Sequence, residues 1–245
     1  MSAGDLVVIF LATAAGATVK GATGIGLPLV ATPLMSLVIG VENAVVAIAI
    51  PNLASNALIV WTQREHRGVV GSLRSFLAVG VVASLFGAAV LTQLDERWLM
   101  LALATVVTSF LTWRLLAKNP VWSPAVRRRG RLPVATVAGL AQGSIGISGP
   151  IIAPWFQGHG LRREAFMYGN SIVFLWSGAA QIAGLTLAAA WTSDRLLGAV
   201  VCGAAVALVQ PLAARWGRGL DQRRFELAVT GVLVIAVASL IVRAI

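Results

Sequence analysis

Apolar residues in this chain neither alternate with polar ones nor keep to one helical stripe; they run on without interruption. Residues 75–94, 98–113, 165–193, 196–214 and 227–242 contain no Asp, Glu, Lys or Arg. A helix crossing a bilayer needs about 20 apolar residues, and most of these runs meet that length. The short alternating strands of a membrane β-barrel do not fit them. The pattern predicts an all-α polytopic membrane protein, with spans over 41–61, 73–91 and 98–116, then 165–191, 196–214 and 225–242.

Two apolar stretches break this rhythm. The first reads Lys20-Gly-Ala-Thr-Gly-Ile-Gly-Leu-Pro28, and the second reads Gln142-Gly-Ser-Ile-Gly-Ile-Ser-Gly-Pro150. Gly21, Gly24, Ile25, Pro28 and Ala31 fall on Gly143, Gly146, Ile147, Pro150 and Ala153 at one constant offset (143 − 21 = 122). Matched breaks in two halves of a chain are the mark of transporters built from repeats. Residues 6–19, read as a helix, are only about 21 Å long at 1.5 Å per residue, short of the ~30 Å bilayer core. Residues 26–39 are equally short. The economical expectation is a hairpin of two half-helices over 6–39, with its tip near mid-membrane, and a second over 132–156.

Charge orders the rest. Residues 1–117 form a first repeat of one hairpin and three spans, 118–131 a basic linker, and 132–245 a second repeat of the same plan. Arg and Lys gather in the links 62–74, 114–131, 157–164 and 215–224, which the positive-inside rule sends to the cytoplasm. Glu42, Asp95, Glu96 and Asp194 mark the opposite side. Traced through, both termini lie outside the cytoplasm, and the two hairpins enter from opposite faces of the inner (plasma) membrane. The halves are then inverted copies.

Composition agrees: 58% of residues are hydrophobic and 11% charged, against roughly 25% charged in soluble domains. The net charge of +10 sits in the links and signals no nucleic-acid partner. Cys202 is the one cysteine, so no disulfide forms within the chain and no Cys-based metal site is built. No cofactor motif is present, and the absence of a GxxxxGK[ST] loop leaves no ATPase engine. The opening Met-Ser-Ala-Gly-Asp lacks the basic region of a cleaved signal peptide.

Candidate chemistry centres on the breaks. Pro28 and Pro150 suit the first turn of a helix, where the missing N–H costs nothing. A helix start offers unpaired N–H groups and roughly half a positive charge. Two such ends facing each other would hold an anion, with Gly21, Gly24, Gly26, Gly143, Gly146 and Gly149 allowing close backbone approach and Thr23, Ser144 and Ser148 adding hydroxyls. The competing explanation is that glycines let membrane helices pack closely. Lys20 is the only charged residue between Asp5 and Glu42, and an intramembrane cation is a functional candidate; its counterpart is Gln142. Asn52, Ser55 and Asn56 share a helix face by their three- and four-residue spacing, and Asn170, Ser171, Ser177 and Gln181 follow the second break. They either line a polar path or bond helices together. Tyr168 and Trp155 either close over the site or anchor at the interface. Between Glu42 and Glu226 every Asp and Glu lies in a link, so a carboxylate-based proton pathway of the usual kind is hard to build.

The two breaks, Gly21-Ala-Thr-Gly24-Ile-Gly26-Leu-Pro28 with Pro33 and Gly143-Ser-Ile-Gly146-Ile-Ser-Gly149-Pro150 with Pro154, resemble those of the TauE/SafE family of membrane transporters. Leu27, where the second copy has Gly149, departs from the fuller glycine run of that family. The resemblance implies transport of a small sulfur-containing anion: sulfite, sulfoacetate or a related organosulfonate. Two other functions compete. Gly146-Ile-Ser148-Gly149 matches the GxSG pattern of an intramembrane serine protease, which needs a base near Ser148; His66 and His159 are both in links. A non-transporting membrane assembly factor is the third. The expected partners are a small anion and the lipid bilayer, with room for a homodimer. The chain is expected not to be an enzyme.

Overall fold

The computed structural model describes residues 1–24, 26–116, 121–216 and 222–244, with the side chains of 69–72, 216 and 222–226 excepted. Ile25 of the first break, residues 117–120 of the central linker and much of the basic link 215–224 therefore lie outside the described residues. The described chain is helical, with no strand. Five helices form the first half: α1 (Ala3–Thr23), α2 (Leu27–Ile39), α3 (Val41–Thr62), α4 (Arg74–Gln93) and α5 (Glu96–Leu116). A 3₁₀ segment, Arg64–Leu73, joins α3 to α4. The second half repeats the order with α6 (Pro124–Ile145), α7 (Gly149–Gln157), α8 (Arg163–Leu187), α9 (Ser193–Trp216) and α10 (Gln222–Ala244). Seven of the described helices are long and apolar enough to cross a membrane: α1, α3, α4, α5, α8, α9 and α10.

Helix α1 differs from the half-helix expected over 6–19. Its 21 residues make about 31 Å at 1.5 Å per residue. The extra length comes from both ends. Ser2 and Asp5 form a reciprocal cap that starts the helix in polar sequence, and Lys20 to Thr23 continue it into the break. Its return arm α2 is short, 13 residues, and α7 shorter, 9 residues. Each hairpin thus pairs one long arm with one short arm.

The halves interlock. Helix α1 packs on α9 and α6 on α4, so each long arm leans on the other half. Helix α3 meets α9 where α8 meets α4, and α2 meets α10 where α7 meets α5. The remaining central pairs are α3 with α8 and α5 with α10, each helix with its own counterpart. Small residues make the long-arm contacts, as expected where lipid competes for every apolar side chain. A Cβ on Gly143 would sit 2.2 Å from the Ser84 carbonyl oxygen, and one on Gly139 2.4 Å from that of Gly80. On the other side a Cβ on Gly21 would sit 2.6 Å from the Gln210 carbonyl oxygen.

Polar contacts define the two ends of the bundle. At one end the Met1 amino group bonds Asp194 at 2.8 Å, Arg195 pairs with Glu42 at 3.0 Å, and the Val41 N–H donates to Glu96. The start of α1 and the end of α2, where Arg243 donates to the Leu37 carbonyl, lie here. At the other end Arg131 donates to Ser75 at 3.1 Å, Arg127 to the Trp122 carbonyl at 2.9 Å, and the Trp122 N–H to the Gly158 carbonyl at 2.8 Å. The start of α6 and the end of α7 lie at this end.

Candidate functional site

Each break is made by a left-handed residue. Gly24 ends α1 at φ 84°, and Gly146 ends α6 at φ 70°. Any other L residue there is strained, so glycine at both positions is a backbone requirement. Gly26 then carries the chain into α2 and Ser148 carries it into α7, with Pro28 and Pro150 in the first turn of each. Neither helix start receives a side-chain cap, which leaves its first-turn N–H groups without side-chain acceptors.

Lys20, on the last turn of α1, is 2% exposed. Its ammonium donates to Asn56 Oδ1 at 2.8 Å and Asn52 Oδ1 at 3.3 Å. Asn56 is held by its own amide, which donates to the Asn52 carbonyl at 2.8 Å and to Asn52 Oδ1 at 3.1 Å. Asn52 and Asn56 stand one turn apart on α3, just after Pro51, whose ring removes a helical hydrogen bond at this level. No carboxylate pairs with Lys20 among the described residues. When protonated, a lysine answered by amide oxygens alone among the described residues carries a charge that no counter-ion neutralises.

Gln142 takes the same place on α6, and its partners are neutral throughout. Its amide donates to Gln181 Oε1 at 3.0 Å, and its oxygen accepts from Ser148 Oγ at 2.7 Å. Gln181 in turn reaches the Gly143 carbonyl at 3.4 Å. This network ties α6, the start of α7 and α8 together. It also occupies Ser148 with an amide that cannot accept a proton. His159 lies elsewhere, its Nδ1 2.8 Å from the Trp155 carbonyl and its ring against Trp155 and Phe156.

A small cavity of about 20 Å³ lies where the breaks meet. From the first break it is lined by Lys20, Gly26 and Pro28; from the second by Gln142, Gly146, Ser148 and Gly149; and between them by Asn52 and Phe174. It has room for about one water. A larger cavity of about 460 Å³ opens beside it between α3 and α9, and Lys20 lines both.

The other expected site residues lie around these cavities or away from them. Asn56 does not line the inner cavity but bonds Lys20 and Asn52, which do. Gly21 lines the outer cavity and packs on α9, and Gly24 abuts Met167 of α8. Thr23 bonds its hydroxyl to the Val19 carbonyl at 2.8 Å, and Ser144 bonds Leu140 in the same way. Gly143 is packed on α4. Pro150 is buried in the first turn of α7. Tyr168 and Trp155 belong to an aromatic and aliphatic cluster with Phe76, Phe156 and Phe174; of these, Phe174 lines the inner cavity and Tyr168 and Trp155 do not. Asn170 donates to the Phe166 carbonyl at 2.8 Å, and its side-chain oxygen is buried without a partner.

Two contributors are absent from the sequence reading. Gln210 of α9 accepts from Ser55 at 2.6 Å across the outer cavity, and Phe174 closes the inner one. The Gln210-Pro211 pair inside an otherwise apolar run is the local signal for the first. An aromatic among apolar residues gives no signal for the second.

Nothing among curated proteins or solved structures matches the chain. The family model described as sulfite exporter TauE/SafE matches residues 8–240, which takes in both breaks, both cavities and all ten helices in whole or large part. The chain belongs to the TauE/SafE family of membrane transporters.

Proposed function

We propose that this chain is a secondary transporter that carries a small sulfur-containing anion, such as sulfite, sulfoacetate or a related organosulfonate, across the inner membrane. The observation that carries the proposal is the meeting of two uncapped helix starts and one buried lysine around a single cavity. Lys20 in its protonated form supplies a full charge, and the starts of α2 and α7 supply the positive ends of two helix dipoles. The anion takes the place that amide oxygens now occupy at the ammonium, so binding supplies a negative charge to a cation that lacks one.

Alternating access follows from the way the halves interlock. The pairing of α1 with α9 and of α6 with α4 supports an inverted repeat, with each hairpin entering from its own side of the membrane. Rocking one hairpin against the other would then expose the central anion to either face. The acidic end of the bundle, bearing Asp194, Glu42 and Glu96, is the periplasmic face by the distribution of Arg and Lys. Both termini fall on the outer side.

Flux of labelled sulfoacetate into proteoliposomes tests the reading. Lys20→Met should reduce flux at least tenfold with normal expression and membrane insertion. Wild-type flux in that variant would contradict it.

A further inference from the structure

Two cavities share Lys20 but differ in kind. The inner one, at about 20 Å³, is closed to anything larger than water. The outer one, at about 460 Å³, falls within the range of pockets that take small organic ligands. Its walls are mainly apolar: Ala54 and Leu58 of α3 face Val206 and Ala207 of α9, with Thr62 and Gln63 among the polar exceptions. They also look out of the bundle, since Leu58 is 53% exposed and a Cβ added at Gly203 would meet nothing within 4 Å. The floor is the reverse. Among the described residues Lys20 is the one charged side chain lining this cavity, it is buried, and its ammonium bonds two neutral amide oxygens.

We propose that the α3–α9 crevice seats the apolar tail of an organic anion whose charged head is held at Lys20. The protein would then prefer tailed sulfonates or carboxylates to bare inorganic oxyanions. The proposal rests on the anion-site reading above and adds the nature of what is attached to the charge. A neutral apolar molecule in the crevice would leave the ammonium uncompensated. A bare oxyanion would leave the apolar walls to water or lipid. A head and tail joined in one molecule satisfy both. Ser55 and Gln210 already bond each other at 2.6 Å, so these two groups make little demand for polar atoms along the tail.

The test is binding of sulfite, methanesulfonate, butanesulfonate and hexanesulfonate to the purified full chain in nanodiscs by calorimetry, beside protein-free nanodiscs. Burial of each methylene is worth ~0.8 kcal/mol, so affinity should rise about fourfold per methylene until the crevice is filled. Ala207→Phe, which places a ring in the crevice, should flatten that dependence. Methanesulfonate, with no tail to seat, reads the head site alone. Affinity independent of chain length, or sulfite bound more tightly than hexanesulfonate, overturns the tail proposal and leaves the anion site intact. A dependence that survives Ala207→Phe assigns the tail to lipid and also overturns it. Unchanged binding of methanesulfonate in Lys20→Met overturns the anion reading beneath it.

Discussion

Lys20 donates to Asn56 Oδ1 at 2.8 Å, a buried ammonium answered by an amide rather than a carboxylate. That relationship underlies the proposed anion site. A carboxylate would neutralise the lysine. An amide orients the amine without a counter-charge.

The pairing has a cost that can be measured. Asn56→Leu should destabilise the protein by about 1.5–3 kcal/mol, the range for a lost hydrogen bond to a charged group. In the double variant with Lys20→Met the loss should shrink, because the stranded charge is gone. Chemical denaturation in detergent reads both, and equal losses in the single and double variants would contradict the pairing.

Gly143 and Gly149 separate two uses of glycine. Gly143→Ala brings a Cβ to 2.2 Å from the Ser84 carbonyl oxygen, a backbone atom that cannot swing away. The α4–α6 contact must open, at a cost of about 1–3 kcal/mol or more, so monodisperse yield should fall sharply. Gly149→Ala meets nothing closer than Phe174 Cζ at 3.9 Å and should fold as the wild type does. Size-exclusion profiles of the two variants decide the matter.

Ser148 and Gln142 form a second measurable pair. Ser148→Ala leaves Gln142 Oε1 buried without its donor, which costs about 1–3 kcal/mol. The double variant Gln142→Leu, Ser148→Ala should lose less than the sum of the two single variants. Additive losses in a double-mutant cycle would show that the 2.7 Å contact carries no coupling.

His159, in the link between α7 and α8, is held below the usual imidazole value of 6.5, first by burial, then by the nearby charges of Arg127 and Arg131, against the raising effect of the Trp155 carbonyl. A lowered value means that the unfolded chain binds the proton more readily than the folded one. Stability should therefore rise as pH climbs from His159's own midpoint toward 6.5, and level off above it. His159→Gln should remove that slope. A melting series in detergent across this window checks the sign, and stability falling with rising pH would contradict it.

The helices and the two breaks were legible because they are local. Charge-free runs report their own length, and Gly24 and Gly146 announce a left-handed turn beside a proline-headed helix. The full length of α1 was hidden because its first turn is polar and capped by Ser2 and Asp5, which a hydropathy reading discards. Asn52 and Asn56 were placed on one face by spacing alone, but their partner lies on α1, and no periodicity within one helix names a residue on another. Gly21 and Gly143 show the same limit from the other side. A glycine that admits a ligand and a glycine that admits a neighbouring helix lack the same Cβ, and only tertiary contact tells them apart. Tyr168 was uninformative for a related reason: an aromatic ring serves a packed cluster or a cavity wall equally well.

The central claim is that Lys20 and the two helix starts jointly hold an anion, and ligand-induced stabilisation tests it most directly. A ligand bound only by the folded state at a hundred times its Kd adds about 2.7 kcal/mol. Sulfoacetate titrated against the purified chain should raise the melting temperature of the wild type progressively and leave that of Lys20→Met unmoved. Equal stabilisation of the two, or none in the wild type, would contradict the account.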